Sequence, residues 1–485
     1  MADVIFIIPP GNVSHKMFSM NEAAGIAGIL AREKIRYAIF DCDGTANDLR
    51  LLNSQAGRNI VCICIVLQWE HDIRRNIWLQ RISTYIRKQM PDTHINCTGR
   101  SATIFYEQVL EAGLCDSVIR GESEVTLPAL LSRLSNGKQW RKTKGLVYLS
   151  QGEMLIMPAR SAIGNLDRLP RPDLSYLKKR RSYPIAPLYT SRYCQGKCAF
   201  CFGKLFRDAN PNVSGESRMR SAKSVVDEIE YISGRYGVRQ YYFVDDNFMP
   251  NGDEGIARAM QIARLIVNRG LKIRFSMECR ADDITRDVIQ PLKHAGLQKV
   301  FVGFESGSEA VLKRYRKGSS VADNLRAVDT LRHLGVGIEA GFIMFDPWTT
   351  LEELQENLDF IERTQIHRSL TQYPLFRSLS ILPNSEIEAL YKTRGGKSDP
   401  RVKAIIGALA YADHLITRSG KISSGHANVT KGGLLFDRKR RELLFEVFKA
   451  SIDVIVRRGP SNMDLGGNLM RPDVEKIVAP FLGKC

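Results

Sequence analysis

The feature that most constrains this chain is a repeated alternation of short apolar runs with amphipathic helical segments. In residues 1–135 the apolar runs are Val4–Ile8, Tyr37–Asp41 and Ile60–Leu67, and helical patterns separate them. Strands that alternate with helices favour a parallel sheet, because a parallel crossover needs a connection long enough to hold a helix. The front of the chain is therefore predicted to be an α/β domain with a doubly wound parallel sheet.

Four parts are predicted along the chain. Residues 1–135 form the front domain, which is expected to be Rossmann- or flavodoxin-like. Residues 136–185 form a connector, with a hairpin around Gly152 and a proline-rich stretch after it. In residues 186–385 the alternation resumes, which predicts a partial or full β/α barrel with its chemistry at the C-terminal strand ends. Residues 386–485 are predicted to form a small helical cap.

Composition narrows the class of protein. The chain has 485 residues, of which 44% are hydrophobic, and no apolar run approaches eighteen residues, so we expect a multidomain cytoplasmic protein without a membrane partner. Its ten cysteines are too sparse for a secreted disulfide scaffold. The net charge of +18 is spread along the chain, and no recognised nucleic-acid module accompanies it. We therefore interpret it as solvated surface and expect no nucleic-acid partner.

Three cysteines follow the first predicted strand of the barrel. Cys194, Cys198 and Cys201 have CxxxCxxC spacing, which places three thiolates in one short loop. A closed zinc site would need a fourth ligand, and neither a second CxxC nor an HxxxH follows closely. Thiolates also hold [4Fe–4S] clusters, and three of them leave one iron open to another ligand. Zinc and coincidentally buried cysteines stay open as alternatives.

This motif resembles the signature of the radical S-adenosylmethionine (SAM) superfamily, in which an aromatic residue such as Phe200 commonly precedes the last cysteine. The resemblance covers roughly residues 186–385. It implies a [4Fe–4S] cluster on Cys194, Cys198 and Cys201, with SAM bound to the open iron through its amino and carboxylate groups. It also implies an external one-electron reductant of the flavodoxin or ferredoxin type.

Four later strand ends resemble the SAM-contacting segments of that family. Each places polar groups or backbone where the SAM amino group, carboxylate, ribose or adenine needs partners. By this resemblance a carboxylate such as Glu278 or Glu305 accepts from the ribose or ammonium, and Arg280 pairs with the methionyl carboxylate. The alternative for each is a strand-end salt bridge. The expected SAM-binding residues are Asp246, Asn247, Glu278, Arg280, Glu305, Ser306 and Met344.

Residues 1–180 resemble the cobalamin-binding domain that precedes the barrel in one subgroup of these enzymes. The resemblance rests on the segments Ile8–Gly11, Arg120–Glu124 and Asn165–Asp173. No DxHxxG pattern surrounds His15, so we expect cobalamin without a histidine ligand, and Arg100 stands where the subgroup has a second glycine. A flavodoxin-like domain that binds nothing, or only a partner, is the alternative. The expected cobalamin-binding residues are Pro10, Gly11, Gln68, Gly99, Arg100 and Glu122.

Together these resemblances imply a cobalamin-dependent radical SAM methyltransferase. A 5′-deoxyadenosyl radical would abstract hydrogen from an unactivated carbon of a small-molecule or natural-product substrate, and methylcobalamin would deliver the methyl group. A cobalamin-dependent rearrangement or oxidation without methyl transfer is the first alternative, and an iron–sulfur sensing or binding protein is a distant one. No catalytic residue or oligomeric state is predicted. The substrate-side candidates are Tyr373, Phe376, Arg377 and Tyr411.

Overall fold

The computed structural model describes residues 3–11, 13–54, 60–70, 72–179, 185–210, 217–368, 377–396, 399–418, 438–458 and 471–482. The chain divides into two compact units. The first unit comprises Met1–Gln195 with Phe202–Met277, and the second comprises Gly196–Cys201 with Glu278–Cys485. Among the helices described, none is long and apolar enough to cross a membrane.

The first unit is built on a seven-stranded sheet in the order β2-β1-β3-β4-β5-β6-β7. Strands β1 to β5 are parallel, and β6 and β7 are added antiparallel at the edge. The strand order reverses between β1 and β3, so the predicted doubly wound sheet is confirmed and is flavodoxin-like. The strands are β1 Asp3–Ile8, β2 Arg36–Asp41, β3 Ile60–Val66, β4 His94–Thr98, β5 Ser117–Ile119, β6 Leu146–Ser150 and β7 Glu153–Ile156.

Helices cover this sheet and fill the rest of the first unit. The central strands are buried on both faces, and one face packs on α1 and α6 through Phe6, Ile26 and Leu130. Asn76 caps α3 by accepting from the Leu79 amide at 3.1 Å. The helices are α1 Val13–Arg32, α2 Ala46–Asn53, α3 Ile77–Gln89, α4 Arg100–Ile104, α5 Tyr106–Glu111, α6 Ser123–Ser135, α7 Tyr176–Lys179, α8 Phe202–Ala209, α9 Ala222–Tyr236 and α10 Asp253–Asn268, with short 3₁₀ turns at Trp140–Lys142 and Leu166–Arg168.

The predicted hairpin is present, but it belongs to the front sheet. Strand β6 pairs antiparallel with β5 through Val118 and Val147, and β7 pairs with β6. The front sheet therefore continues past residue 135, where the sequence pattern placed a boundary. The side chain of Val147 is fully buried, because the hairpin covers the edge that β5 would otherwise expose.

The alternation of strands and helices resumes after residue 185, as predicted. In the first unit β11 pairs parallel with β8 and with β12, while β9 and β10 form a short antiparallel pair. Strand β12 begins in the first unit, and its last residues belong to the second. The strands are β8 Ile185–Leu188, β9 Ser191–Arg192, β10 Arg218–Met219, β11 Gln240–Phe243 and β12 Arg274–Arg280.

The second unit continues with two parallel strands, β13 Leu297–Glu305 and β14 Gly337–Phe342. The apolar run Leu375–Leu379 predicts a further strand; the structure has one bridge there, between Phe345 and Ser378, and residues 369–376 lie outside the described part of the chain. The patterns of Val402–His414 and Arg438–Arg457 predict two helices, and both are confirmed. The helices are α11 Arg286–His294, α12 Glu309–Arg314, α13 Val321–His333, α14 Leu351–Thr364, α15 Glu386–Arg394, α16 Pro400–Arg418, α17 Arg438–Arg458 and α18 Arg471–Leu482, with a 3₁₀ turn at Ile366–Arg368.

Candidate functional site

The first cysteine of the motif, Cys194, lies in the first unit directly after β9. Tyr193 before it has a φ of +65°, a left-handed conformation that is uncommon for a residue with a side chain. Arg207 on α8 is only 8% exposed and donates from Nη1 to the Cys194 carbonyl at 2.7 Å. The helix that follows the motif therefore holds the backbone of its first cysteine.

The other two cysteines lie in the second unit, where the backbone between them is held on both sides. The Ala199 amide donates to the Tyr315 carbonyl at 2.8 Å, and the Ile387 amide donates to the Ala199 carbonyl at 3.3 Å. The Phe200 ring packs edge-on against Tyr315, with centroids 5.2 Å apart. Cys198 is buried and Cys201 is half-buried. The aromatic residue of the motif thus anchors this part of the loop.

A buried ion pair lies beside Cys198. Lys317 Nζ donates to Glu305 Oε1 at 2.9 Å, and both side chains are at most 12% exposed. Burial alone would lower the pKa of Lys317, but the Glu305 carboxylate and the Cys198 thiol together raise it. Glu305 itself has a φ of +63°. The ammonium of Lys317 therefore stays charged next to a motif cysteine.

Gly303 makes room for this ion pair. A Cβ at that position would come within 2.5 Å of Glu305 Oε1 and 2.7 Å of Lys317 Nζ. A side chain there would have to displace one of the two charged groups. The glycine at the end of β13 is thus explained by the close approach of the pair.

Two other predicted SAM-binding side chains also have partners within the protein. Arg280 donates to Asp282 through Nε and Nη2, each at 2.9 Å, and to the Lys317 carbonyl at 2.8 Å. Ser306 Oγ donates to Asn357 Oδ1 at 2.7 Å. These contacts fix both side chains at a strand end, and SAM contacts by them stay a prediction.

The remaining predicted SAM-binding residues differ in exposure. Asn247 is buried, and its Oδ1 accepts from the Met249 amide at 3.2 Å. Met344 is buried and donates its amide to the Arg377 carbonyl at 3.1 Å. The Glu278 side chain is half-buried.

Asp246, expected to contact SAM, and Arg100, expected to contact cobalamin, bind each other within the first unit. Arg100 Nη1 lies 2.5 Å from Asp246 Oδ1, and Nη2 lies 3.2 Å from Oδ2. Burial alone would lower the pKa of Arg100, but the Asp246 carboxylate more than offsets this and the pKa is raised. Each charge is neutralised by the other. The sequence gives no sign of this pairing, because the two residues are 146 positions apart.

The sequence reasoning missed Asp245, which precedes Asp246 and is fully buried. Its carboxylate accepts from the Thr190 amide and the Thr190 hydroxyl, each at 2.7 Å, and from the Ser191 amide at 2.6 Å. Burial raises its pKa in spite of these donors. Asp245 thus connects the end of β11 to the segment that leads into the cysteines. The sequence signal that could have pointed to it is its place beside Asp246 in a run of two acids. Lys317 was also missed, because nothing local marks it.

The expected cobalamin-binding residues lie at the carboxyl edge of the front sheet. Gln68 follows β3, is 1% exposed, and its Oε1 has no hydrogen-bond partner among the described residues. Ser101 follows β4, is fully buried, and its Oγ has no partner there either. Between them Gly99 has a φ of +101°, and a Cβ would come within 2.3 Å of the Leu67 carbonyl. Two unsatisfied polar atoms thus lie at the carboxyl edge of the front sheet, where open α/β sheets bind ligands.

The other predicted cobalamin residues are less distinctive. Glu122 is bound to Arg192 and Arg218 and accepts from the Ile163 amide at 3.0 Å. Burial would raise the pKa of Glu122, but the two arginines lower it to about 2. The side chain of Pro10 is half-buried, and Gly11 is exposed.

Five further residues were named from the sequence, and the structure describes the side chains of two of them. Tyr373 and Phe376 lie outside the described residues, as does the side chain of His15. Arg377 is exposed. Tyr411 donates its hydroxyl to Glu475 at 2.6 Å and so joins two cap helices.

The arrangement of donors bears on the choice between zinc and iron. Among the described residues, no three His, Cys, Asp or Glu side chains come close enough to hold one metal ion. The loop supplies three thiolates and no fourth ligand, whereas a closed zinc site needs four ligands and a [4Fe–4S] cluster can leave one iron open. The donor chemistry of Cys194, Cys198 and Cys201 therefore suits a cluster.

Residues 188–361 match the model of the Radical SAM superfamily. This chain therefore contains a radical SAM domain, which includes all three motif cysteines and implies a [4Fe–4S] cluster and SAM. The resemblance found in the sequence is confirmed for this part of the chain.

Two curated proteins are similar to the chain. An uncharacterized methyltransferase of Pyrococcus horikoshii, PH0819, is 29% identical over 265 residues, which cover 53% of this chain and 54% of that protein. Hopanoid C-3 methylase of Methylococcus capsulatus is 26% identical over 368 residues, covering 71% of this chain and 65% of the methylase. The chain spans about half the length of the first of these relatives.

A solved structure is similar over nearly the whole chain. It is that of the cobalamin-dependent S-adenosylmethionine radical enzyme OxsB with aqua-cobalamin bound, at a TM-score of 0.73 and 19% identity. The match covers 98% of this chain and 75% of that one. At this identity the likeness shows that the two proteins share a fold.

Proposed function

We propose that this protein is a cobalamin-dependent radical SAM methyltransferase that acts on a carbon of a small-molecule substrate. The observation that carries the proposal is the radical SAM match over residues 188–361, which contains the CxxxCxxC motif. The shared fold with a cobalamin-dependent enzyme and the methyltransferase names of two relatives support it. When bound, the cluster with SAM supplies a carbon-centred radical, and cobalamin supplies the methyl group.

The residues present fit these cofactors. Cys194, Cys198 and Cys201 would hold the cluster, and the strand-end groups of β12, β13 and β14 would hold SAM. Gln68 Oε1 and Ser101 Oγ are buried and lack partners among the described residues, which suits the hydrogen-bond donors around a corrin. Cobalamin would lie at this edge of the front sheet.

The residues of the chain itself would position the cofactors and shield them from water. Cys198, Glu305 and Lys317 are each less than 10% exposed, so this part of the site excludes water. In such surroundings the fixed charge of Lys317 acts more strongly than it would in water. The backbone bonds of Ala199 keep the loop in place, so little reorganisation is needed when a cofactor binds.

The first experiment is anaerobic purification from cells supplied with cobalamin, reconstitution of the cluster, and measurement of iron and corrinoid per chain. About four irons and about one corrinoid are expected. Labelled SAM should then transfer its methyl carbon to an added small molecule when a flavodoxin or ferredoxin supplies electrons. Iron without corrinoid would leave a radical SAM enzyme whose front domain is a scaffold. Absence of both would contradict the proposal.

A cobalamin-dependent rearrangement or oxidation is the second candidate, since the same cofactors serve it. The two differ in the fate of the methyl carbon: the rearrangement consumes SAM without labelling the substrate. An iron–sulfur binding protein would hold the cluster and show no SAM cleavage. We also propose that the chain comprises a front domain, a connector, a β/α barrel and a helical cap, with the β6–β7 hairpin of the connector paired to the front sheet.

A further inference from the structure

The first unit contains a pocket whose lining includes none of the residues assigned above to a cofactor. It lies between α1, α6, α9 and the loop that follows the 3₁₀ turn at Leu166–Arg168. We call it the Glu22 pocket, and its open volume is about 630 Å³ including the solvent at its mouth. One wall is apolar, formed by two leucines and two prolines, and the other is charged. The charged side chains that line it are Glu22, Glu124, Arg192, Arg220 and Glu228.

Two carboxylates of this pocket are only half satisfied. Glu124 is 8% exposed; its Oε1 accepts from Arg192, and its Oε2 has no partner among the described residues. Glu228 is 3% exposed; its Oε2 lies 2.7 Å from Arg220 Nη2, and its Oε1 has no partner in the same set. These oxygens come from two different helices and line one pocket. A buried acceptor without a donor is unfavourable, so both favour a ligand with hydrogen-bond donors.

The charges of the pocket leave one carboxylate without a counterion. Three carboxylates face two guanidinium groups, and Arg192 is also shared with Glu122. Burial and the neighbouring Glu124 raise the pKa of Glu22 to about 7, although Arg192 and Arg100 oppose this rise. Tyr189 also lies near Glu22, and burial raises its pKa, so it stays neutral. Burial also raises the pKa of Glu228, although Arg220 and Arg171 oppose this rise. When all three glutamates are ionised, the lining carries one more carboxylate than guanidinium groups, and a cation that donates hydrogen bonds would balance it.

We propose that the Glu22 pocket binds a small alkyl primary ammonium. The ammonium group would donate to Glu124 Oε2 and Glu228 Oε1 and neutralise Glu22. The alkyl part would lie on Leu166, Leu169, Pro170 and Pro172. A divalent metal ion suits the pocket less well, because no three carboxylates among the described residues converge closely enough to hold one.

Gly25 on α1 provides a test of the space itself. It lines the pocket, and a Cβ placed on it would have nothing within 4 Å. Gly25→Leu would fill the pocket without changing a charge. Glu228→Gln removes a charge with little change in shape, and Glu230→Gln is its control, because Glu230 lies on the same helix, is exposed, and pairs with Arg269.

The experiment is isothermal titration of the full-length protein at pH 8 with n-butylammonium, without SAM or cobalamin. One-to-one binding is expected, with affinity about fourfold higher for each methylene added from methylammonium upward. Glu228→Gln and Glu22→Gln should each weaken it at least about tenfold, Gly25→Leu should abolish it, and Glu230→Gln should leave it unchanged. Tetramethylammonium, which carries the charge but no N–H, should not bind.

The pH dependence gives an independent readout. Because Glu22 takes up a proton below about pH 7, binding should weaken from pH 8 to pH 6, with release of a proton on binding at the lower pH. Absence of saturable butylammonium binding, equal binding of tetramethylammonium, or wild-type affinity in Glu228→Gln would each overturn the proposal. Because no cofactor is present, none of these results depends on the proposed methyltransferase activity.

Discussion

The buried pair of Arg100 and Asp246 can be tested by removing one partner. Arg100→Met keeps an apolar stem beside Phe18 and Phe206, whose rings lie 5.8 Å and 5.6 Å from the guanidinium carbon. The side chains of the pair are 8% and 13% exposed, so the substitution leaves Asp246 buried without its counterion. Removing one member of such a pair destabilises by about 3–5 kcal/mol, and replacing both members is close to neutral.

The expected loss is therefore about 3 kcal/mol for Arg100→Met and less than about 1 kcal/mol for Arg100→Met with Asp246→Asn. Urea unfolding followed by tryptophan fluorescence measures it well, because Trp69, Trp78 and Trp140 lie in the first unit. With a slope near 3 kcal/mol per molar urea, the midpoint of the single variant should fall by about 1 M.

Two results would refute this reasoning. One is a loss below about 1 kcal/mol for Arg100→Met, which would mean that the pair is solvated. The other is a double variant as unstable as the single one, since the coupling between contacting residues would then be missing. SAM affinity of the double variant separates the two roles of Asp246. An unchanged affinity makes Asp246 the partner of Arg100 alone, and a large loss makes it a SAM contact as well.

Three further predictions concern single sites. Cys198→Ala should reduce iron from about four per chain to below one after reconstitution, whereas Cys279→Ala, a buried cysteine outside the motif, should keep its iron. Gly303→Ala should lower the free energy of unfolding by about 1–3 kcal/mol, because its Cβ would meet the Glu305–Lys317 pair. The control is Gly234→Ala at an exposed helical position, which should raise the free energy of unfolding by about 0.5–1 kcal/mol. Equal effects of the two substitutions in urea unfolding would contradict this. Burial lowers the pKa of His94 from 6.5 to about 4 against the opposing pull of Asp116, so the unfolded chain binds a proton that the folded protein does not. Stability should fall by up to about 3 kcal/mol from pH 6.5 to pH 4, and a His94→Gln variant that shows the same fall would exclude His94 as its cause.

Local patterns predicted much of the front sheet. Strand β1 was expected at Val4–Ile8 and is Asp3–Ile8, because an uninterrupted apolar run marks a strand that is buried on both faces. The helical pattern of Ala23–Arg32 predicts only the second half of α1, which begins at Val13. That half contains Gly28, where a Cβ would come within 2.2 Å of the Arg171 carbonyl. The glycine is there for a contact with a distant loop, and in the sequence it weakens the helical pattern.

Long-range pairing limited what the sequence could say about the site. The cysteine motif was found because its spacing is local, and the backbone bonds around Ala199 explain why the loop holds its form. The Arg100–Asp246 pair joins residues 146 positions apart. The β6–β7 hairpin pairs with the front sheet, although the sequence pattern ended the front domain before it, at residue 135. No local pattern encodes such partners, since they are set by how elements pack.

The distribution of partners bears on which polar residues mark a cofactor site. Asp246, Arg280 and Glu305 drew attention in the sequence as charges at strand ends, and each is paired with another charged side chain of the protein. A ligand that used them would have to replace a charge-assisted bond, which returns little net energy. Gln68 and Ser101 carry buried atoms that lack partners in the described part of the chain, so a ligand there gains bonds without breaking any. Unsatisfied neutral groups at the carboxyl edge of the front sheet are therefore stronger indicators of a bound cofactor than the paired charges.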